Sequence, residues 1–274
     1  MPDRSVPFVG GYTQARFIAD LLVVAVIAAW WLTSLTLPAG VFPGLGSIGR
    51  AVIGLAVSAE FWSNAGITAS RILAAVLLAT VIGSVIGMLP RYLPWTGGIV
   101  DDVLVPFFSS FPGIAWAILG TVWFGVTSKA VLIVQILIIL PFALVNVAEG
   151  AKAIGSEEVE MGRSFSRRRW AIFWRVELPL LSPFIMASVR ISYGVCWKIS
   201  LIAELFGAHS GIGYLMQLSQ DLGEIDRIIA ICLFVVAFVI IGERLILEPI
   251  ARIAHKSDSS GHAKRLKISF LSRG

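Results

Sequence analysis

Apolar residues run through this chain in long blocks, each about as long as a membrane crossing. A helix needs about 20 apolar residues to cross the hydrocarbon core of a bilayer. Six segments qualify: 17–37, 67–89, 102–123, 129–149, 183–206 and 228–250. The stretches 72–89, 103–128 and 130–148 contain no ionisable residue. The run 103–128 is too long for one crossing and is expected to include part of the turn at Gly125 to Lys129. The fifth segment is unusual in carrying Arg190, Lys198 and Glu204. This pattern predicts an all-α polytopic membrane protein with six transmembrane helices.

Two shorter segments have patterns of their own. Ile48, Val52, Leu55, Ala59 and Trp62 recur at helical spacing, which predicts a helix over 47–62 lying in the membrane interface, with Ser47 as its N-cap. Gly207 to Arg227 is glycine-rich and then polar. No strand precedes Gly207, Gly211 and Gly213, so a tight turn is expected there and not a phosphate loop.

Composition agrees with a lipid environment. Of 274 residues, 57% are hydrophobic and 14% charged, against roughly 25% charged in soluble domains. Cys196 and Cys232 sit inside apolar runs, and His209, His255 and His262 form no ligand cluster, so neither a disulfide framework nor a metal or other cofactor is expected. The net charge of +5 comes from loops and a basic tail, Arg252 to Arg273. That distribution fits a membrane topology signal and contact with lipid, and no nucleic acid is expected to bind.

Charge also sets the expected orientation. With the N-terminus inside, the cytoplasmic segments hold Arg4, Arg16, Arg91, six basic residues of one central island and the tail. The opposite side holds only Arg50, Lys129 and Arg227, with Arg71 just inside the second span. Lys/Arg excess marks the cytoplasmic side, so both termini are expected there. The domain reading is 1–63 for the N-terminal segment, first span and interfacial helix, 64–249 for the transmembrane domain, and 250–274 for the tail.

The central island carries Lys152, Arg163, Arg167, Arg168, Arg169 and Arg175 with Glu157, Glu158, Glu160 and Glu177. Ile154, Met161 and Phe165 fall on one helical face. A second short helix is expected with Trp170, Phe173 and Trp174 as a buried apolar stripe, capped by Ser166 and stopped by Leu178-Pro179. Two amphipathic helices meeting at a corner, over about 150–180, suit a partner that pulls on the chain.

The run Glu160-Met161-Gly162-Arg163-Ser164-Phe165-Ser166, followed after nine residues by Val176-Glu177-Leu178-Pro179, resembles the cytoplasmic "EAA" loop of ABC-importer permeases. That pattern reads Glu-Ala-Ala, three residues, Gly, nine residues, Ile-x-Leu-Pro. The spacing matches. Met161 and Gly162 replace the alanines, Ser166 the glycine and Val176 the isoleucine. Serine tolerates a positive φ less well than glycine, so a capped turn is expected at that corner. Trp123-Phe124-Gly125, Arg71, and Trp197 followed by Glu204-Leu205-Phe206-Gly207-Ala208 and Gly211-Ile212-Gly213-Tyr214 look like the nitrate/sulfonate/taurine branch.

The resemblance implies a type I ABC-importer permease in a bacterial inner membrane. It implies a homodimer, two cytoplasmic ABC ATPase subunits, and a periplasmic or lipid-anchored solute-binding protein. Because the chain has no GxxxxGK[ST] motif, it is expected not to be an enzyme, with ATP hydrolysed on the separate subunit. A self-contained secondary transporter or channel using Lys198 and Glu204 is the alternative, and a passive membrane anchor a third.

Charges at membrane depth usually face a protein interior or a water path. Arg190, near the cytoplasmic end, and Glu204, near the outer end, lie within about 40° of one helix face, which Trp197 shares; snorkelling and structural pairing are the plain reading of both. Lys198 points about 80° away from Arg190 and suits an anion path. Arg190, Trp197, Lys198 and Glu204 are therefore the candidate path residues. Gln135 and Asn146 are read as path donors or inter-helix links, and Asp101-Asp102 as a cytoplasmic boundary.

Overall fold

A computed structural model of the chain describes residues 10–38, 40–155 and 168–247. Among them every regular element is helical. The helices are α1 (Gly10–Thr36), α2 (Leu45–Val57), α3 (Ala59–Tyr92), α4 (Val105–Ser110), α5 (Gly113–Phe124), α6 (Ser128–Ala153), α7 (Arg169–Ile172), α8 (Leu178–Gly207), α9 (Ile212–Asp221) and α10 (Ile225–Gly242). Five of the helical stretches are long and apolar enough to cross a membrane, and a bent pair makes a sixth. The chain divides into two compact units, 1–58 with 218–232 and 59–217 with 233–274.

In the first unit, Trp30 donates its indole N–H to the Pro43 carbonyl at 3.2 Å and its ring lies 4.4 Å from that of Phe42, so the turn after α1 folds back on it. The predicted interfacial helix is present but shorter. Gly44 stands at its N-cap, and Ser47 lies inside the first turn with its hydroxyl returned to the Gly44 carbonyl at 2.8 Å. Ser47 is therefore not the cap. Ala59 and Trp62 belong to α3, because the backbone turns extended at Ser58.

In the second unit, α3, α6 and α8 form the packed centre. Lipid gives no hydrophobic drive between helices, so close approach by small residues carries the packing. Ala75, Ala79, Gly83 and Gly87 repeat every fourth residue along α3, which places them on one stripe. A Cβ on Gly83 would stand 2.6 Å from the Ala143 Cβ and 2.9 Å from the Leu144 nitrogen. A Cβ on Gly87 would stand 2.9 Å from the Leu144 carbonyl oxygen. The other side of α6 meets α8, where Gly150 lies against the Phe184 ring.

Three expected elements differ in form. The third span is not one helix but two segments, Pro94–Ser110 and Gly113–Phe124, bent by 85°. Pro112 has no N–H to give and forces Phe111 into extended backbone, with ψ 125°. The expected stop at Leu178-Pro179 is absent. Trp170 to Gly207 runs as one helical stretch of 38 residues. A π-helical turn at Phe173–Glu177 takes up the register, and Pro179 then sits in the first turn of α8, where its missing N–H costs little. The tight turn after Gly207 is confined to 208–211, and α9 follows at once. The expected turn at Gly125 is present, with φ 70°, and Thr127 caps α6 by accepting the Ala130 N–H at 3.2 Å.

The stripe predicts a contrast. Gly83→Ala should destabilise the protein by about 1–3 kcal/mol, because backbone and Ala143 must move apart. Gly54→Ala, in α2 with nothing within 4 Å of the added carbon, should be neutral or stabilise by up to about 1 kcal/mol. Thermal unfolding in detergent measures both, and equal melting temperatures for the two variants would contradict the packing assignment.

Candidate functional site

Among the described residues of the second unit, two ionic clusters and a cavity are candidates for function. The first cluster sits where α3, α8 and the turn before α9 converge. Glu204 is fully buried and Arg71 is 7% exposed, with Nη1 2.8 Å from Glu204 Oε1. Both terminal nitrogens make further bonds: Nη1 donates to the Ser210 carbonyl at 2.8 Å, and Nη2 donates to the hydroxyls of Ser128 at 2.6 Å and Ser210 at 2.7 Å. Glu204 accepts further bonds from the Thr68 hydroxyl at 2.8 Å and the Gly213 N–H at 3.0 Å. A charge at this depth is tolerable only when paired and hydrogen-bonded in this way.

Glycine is required around that carboxylate. Gly211 has φ 108°, and a Cβ there would run into the Glu204 carboxylate. A Cβ on Gly213 would come within 2.6 Å of both the Glu204 Cβ and the Leu201 carbonyl oxygen. The Gly211-Ile212-Gly213 run thus lets the chain pass close over a buried anion.

The second cluster lies at the C-terminal end of α3. Arg91 Nη1 donates to the carbonyls of Ala151 at 2.7 Å and Ile154 at 3.2 Å, at the end of α6. Its Nε lies 3.6 Å from Glu177 Oε1, and the Tyr92 hydroxyl donates to Glu177 Oε2. Glu177 is buried. Beneath it Met88, Val147, Ala151, Ile154, Ile172 and Leu181 form an apolar core. Lys152 lies 3.1 Å from Asp101, which ties the end of α6 to the start of the third span.

The cavity, of about 390 Å³, lies beside the break in the third span and is lined by Phe108, Ser109, Phe111, Phe142, Asn146 and Ile199 among others. A broken helix leaves carbonyls without their usual partners, and within a membrane such backbone is tolerated where protein or a water-filled space satisfies it.

The expected site residues separate into distinct places. Glu160, Met161, Gly162, Arg163, Ser164, Phe165 and Ser166 lie outside the described residues; Leu178 and Pro179 open α8. Arg190 and Glu204 are each paired with a residue of another helical segment: Glu204 with Arg71, and Arg190 with Glu243, to which it donates at 2.6 Å. Trp197 is buried, 5.5 Å from the Phe238 ring, and Lys198 is exposed. Gln135 donates to the Ser200 hydroxyl at 2.8 Å and links α6 to α8, whereas Asn146 bonds within its own helix. The expected buried stripe is turned outward at two of its three positions, Trp170 being 71% and Trp174 53% exposed. Only Phe173 packs on the core. Arg91, Tyr92 and the role of Glu177 are not singled out by the sequence pattern. Their signal is a basic-aromatic pair closing an apolar span and a lone acid between Val176 and Leu178.

The first cluster makes a prediction. Removing one partner of a buried ion pair costs about 3–5 kcal/mol because the other charge is stranded. Arg71→Met should lose that much in equilibrium unfolding, and Arg71→Met with Glu204→Gln should recover part of it. A single variant as stable as the parent would contradict the pairing.

Comparison with known proteins bears on this arrangement. The profile of the family described as "binding-protein-dependent transport system inner membrane component" matches residues 79–247. The taurine transport system permease protein of Escherichia coli (strain K12) is 28% identical over 176 residues, 64% of this chain and 63% of that one. The chain therefore spans just under two thirds of that relative. The putative aliphatic sulfonates transport permease protein of the same organism is 27% identical over 210 residues, 76% of this chain and 80% of that one. A chain of the MetNI methionine ABC transporter, solved in inward-facing conformations, superposes with a TM-score of 0.56 at 18% identity, covering 71% of this chain and 94% of that one. That likeness shows the fold of an ABC-importer permease. The match over residues 79–247 places this chain in the family of binding-protein-dependent transport system inner membrane components.

Proposed function

We propose that this chain is the permease subunit of an ATP-driven ABC importer, working as a homodimer with two cytoplasmic ATPase subunits and an external solute-binding protein. The observation that carries the proposal is the base of the 150–180 loop. Its two flanks are bolted to α3 through Arg91 and Glu177 and packed on one apolar core. A passive connector needs no such footing, whereas a lever that takes force from a moving partner does. The importer converts ATP-driven closure of the ATPases into tilting of the spans, and differential binding of the two states does the work. Both termini and residues 150–180 are cytoplasmic in this reading.

Within the loop, Phe165 is the apolar anchor and Glu160 the charged rim. A desolvated aromatic anchor is worth more than about 2 kcal/mol and a rim charge about 0–1 kcal/mol. Phe165→Ala should therefore reach the membrane at normal level yet recover little ATPase in pull-down, with Glu160→Gln closer to the parent. Since only a cytoplasmic loop can meet a cytoplasmic ATPase, the same experiment tests the orientation. Normal ATPase recovery by Phe165→Ala would refute the coupling role.

The solute in this reading is a small molecule carrying an anionic sulfonate group, an alkanesulfonate or taurine, supported by what the relatives are named for. Lys198, exposed in the middle of α8, offsets the desolvation of such an anion. Glu204 and Trp197, both buried, and Arg190, paired to Glu243, act as structural supports. Uptake of labelled taurine should fall in Lys198→Met and persist in Lys198→Arg. Unchanged uptake in Lys198→Met would remove the lysine from the path.

A further inference from the structure

We propose that Arg91, with Tyr92 and Glu177, is a positioning clamp that makes α3, α6 and α8 answer together when the 150–180 loop is moved. The inference rests on the importer reading above and adds the element that transmits the force. The loop leaves from the end of α6 and returns through α7 into α8, so a push on it acts on two separate helices. Without a tie, each could yield alone. Arg91 supplies the tie from a third helix, donating to the Ala151 and Ile154 carbonyls on the outgoing side and pairing with Glu177 on the returning side.

The chemistry suits arginine at this position. The last carbonyls of α6 lack helical partners and carry the negative end of its dipole, so a cation there is favoured. A guanidinium can reach two carbonyls and a carboxylate at once because its donors form a planar fork; a lysine ammonium is a single point. The Tyr92 hydroxyl occupies the other Glu177 oxygen, so the buried carboxylate is held from two neighbouring residues of α3. The apolar core of Met88, Val147, Ala151, Ile154, Ile172 and Leu181 lies beneath and holds the helices together by packing. The clamp can thus be loosened while the fold persists, which separates a transmitting role from a merely structural one.

The test uses the complex of this chain with its ATPase in liposomes, with Ser109→Cys as the lone thiol in a Cys196→Ser, Cys232→Ser background. Ser109 lines the cavity beside the broken span, away from the clamp. The rate at which a water-soluble maleimide labels it is measured with and without ATP and orthovanadate. Arg91→Gln, Glu177→Gln, their combination and Tyr92→Phe are compared for ATPase recovery, ATP hydrolysis and this response. The single Gln variants should retain ATPase and hydrolyse ATP within about two-fold of the parent, while the nucleotide-dependent change in labelling shrinks by about five-fold or more. The double variant should lose no more than either single one, because the two groups act as one unit. Arg91→Lys should recover part of the response, and Tyr92→Phe should lose less than Arg91→Gln. An undiminished response in both Gln variants, losses that multiply in the double variant, or loss of ATPase recovery along with the response would each overturn the clamp. If the unsubstituted chain recovers no ATPase at all, the importer reading fails and takes this inference with it.

Discussion

A buried carboxylate in a membrane protein has no water to fall back on, and Glu204 and Glu177 are each answered by an arginine of α3. Arg71 and Arg91 both belong to α3, and their partners Glu204 and Glu177 lie near the two ends of the helical stretch that ends at Gly207. Twenty residues of helix separate the arginines, about 30 Å, which is the thickness of the hydrocarbon core. The same two stretches of chain are therefore joined at two points about 30 Å apart, while small residues bring α6 close to α3 between the joints. Each joint requires local concessions: glycine at 211 and 213 for one, and a buried glutamate closing a π-helical turn for the other.

The joints differ in kind. Around Glu204 the carboxylate is fully buried and enclosed by guanidinium and hydroxyl donors of α3 and a backbone donor of α9, a closed arrangement. Around Glu177 the arginine is 19% exposed at its side chain and faces the ends of a loop. In the proposed importer, a closed joint at one end and a more accessible joint beside the coupling loop at the other is what a lever requires. The broken third span, with its cavity beside Ser109 and Asn146, lies in the same unit and offers the backbone irregularity that lipid alone would not tolerate.

Much of this is legible in the sequence. Hydropathy locates the membrane crossings because a run of about 20 apolar residues matches the thickness of a bilayer and suits little else. The spacing from Glu160 to Pro179 points to the right family, since it constrains several positions at once. What the sequence misplaces has physical causes. Pro179 looks like a stop, but proline is harmless in the first turn of a helix, and a π-helical turn before it keeps the helix continuous. Pro112 looks like part of one span although it breaks that span by 85°. Helix-face arithmetic sets Arg190 and Glu204 on one face, yet a face says only where a side chain points and not which helix stands opposite; the structure supplies the partners, Glu243 and Arg71. Trp170 and Trp174, expected to be buried, are exposed, since an aromatic stripe looks alike in sequence whether or not a neighbour covers it.

The central claim is that the clamped loop exists to hold an ATP-hydrolysing partner. Native mass spectrometry of the chain, affinity-purified from its own membrane in mild detergent, tests it most directly. The account predicts a particle containing two copies of this 29.6 kDa chain and two copies of a nucleotide-binding subunit, with the subunits lost when Phe165 is replaced by alanine. A particle made of this chain alone, active in moving solute without any nucleotide-binding subunit, would contradict it.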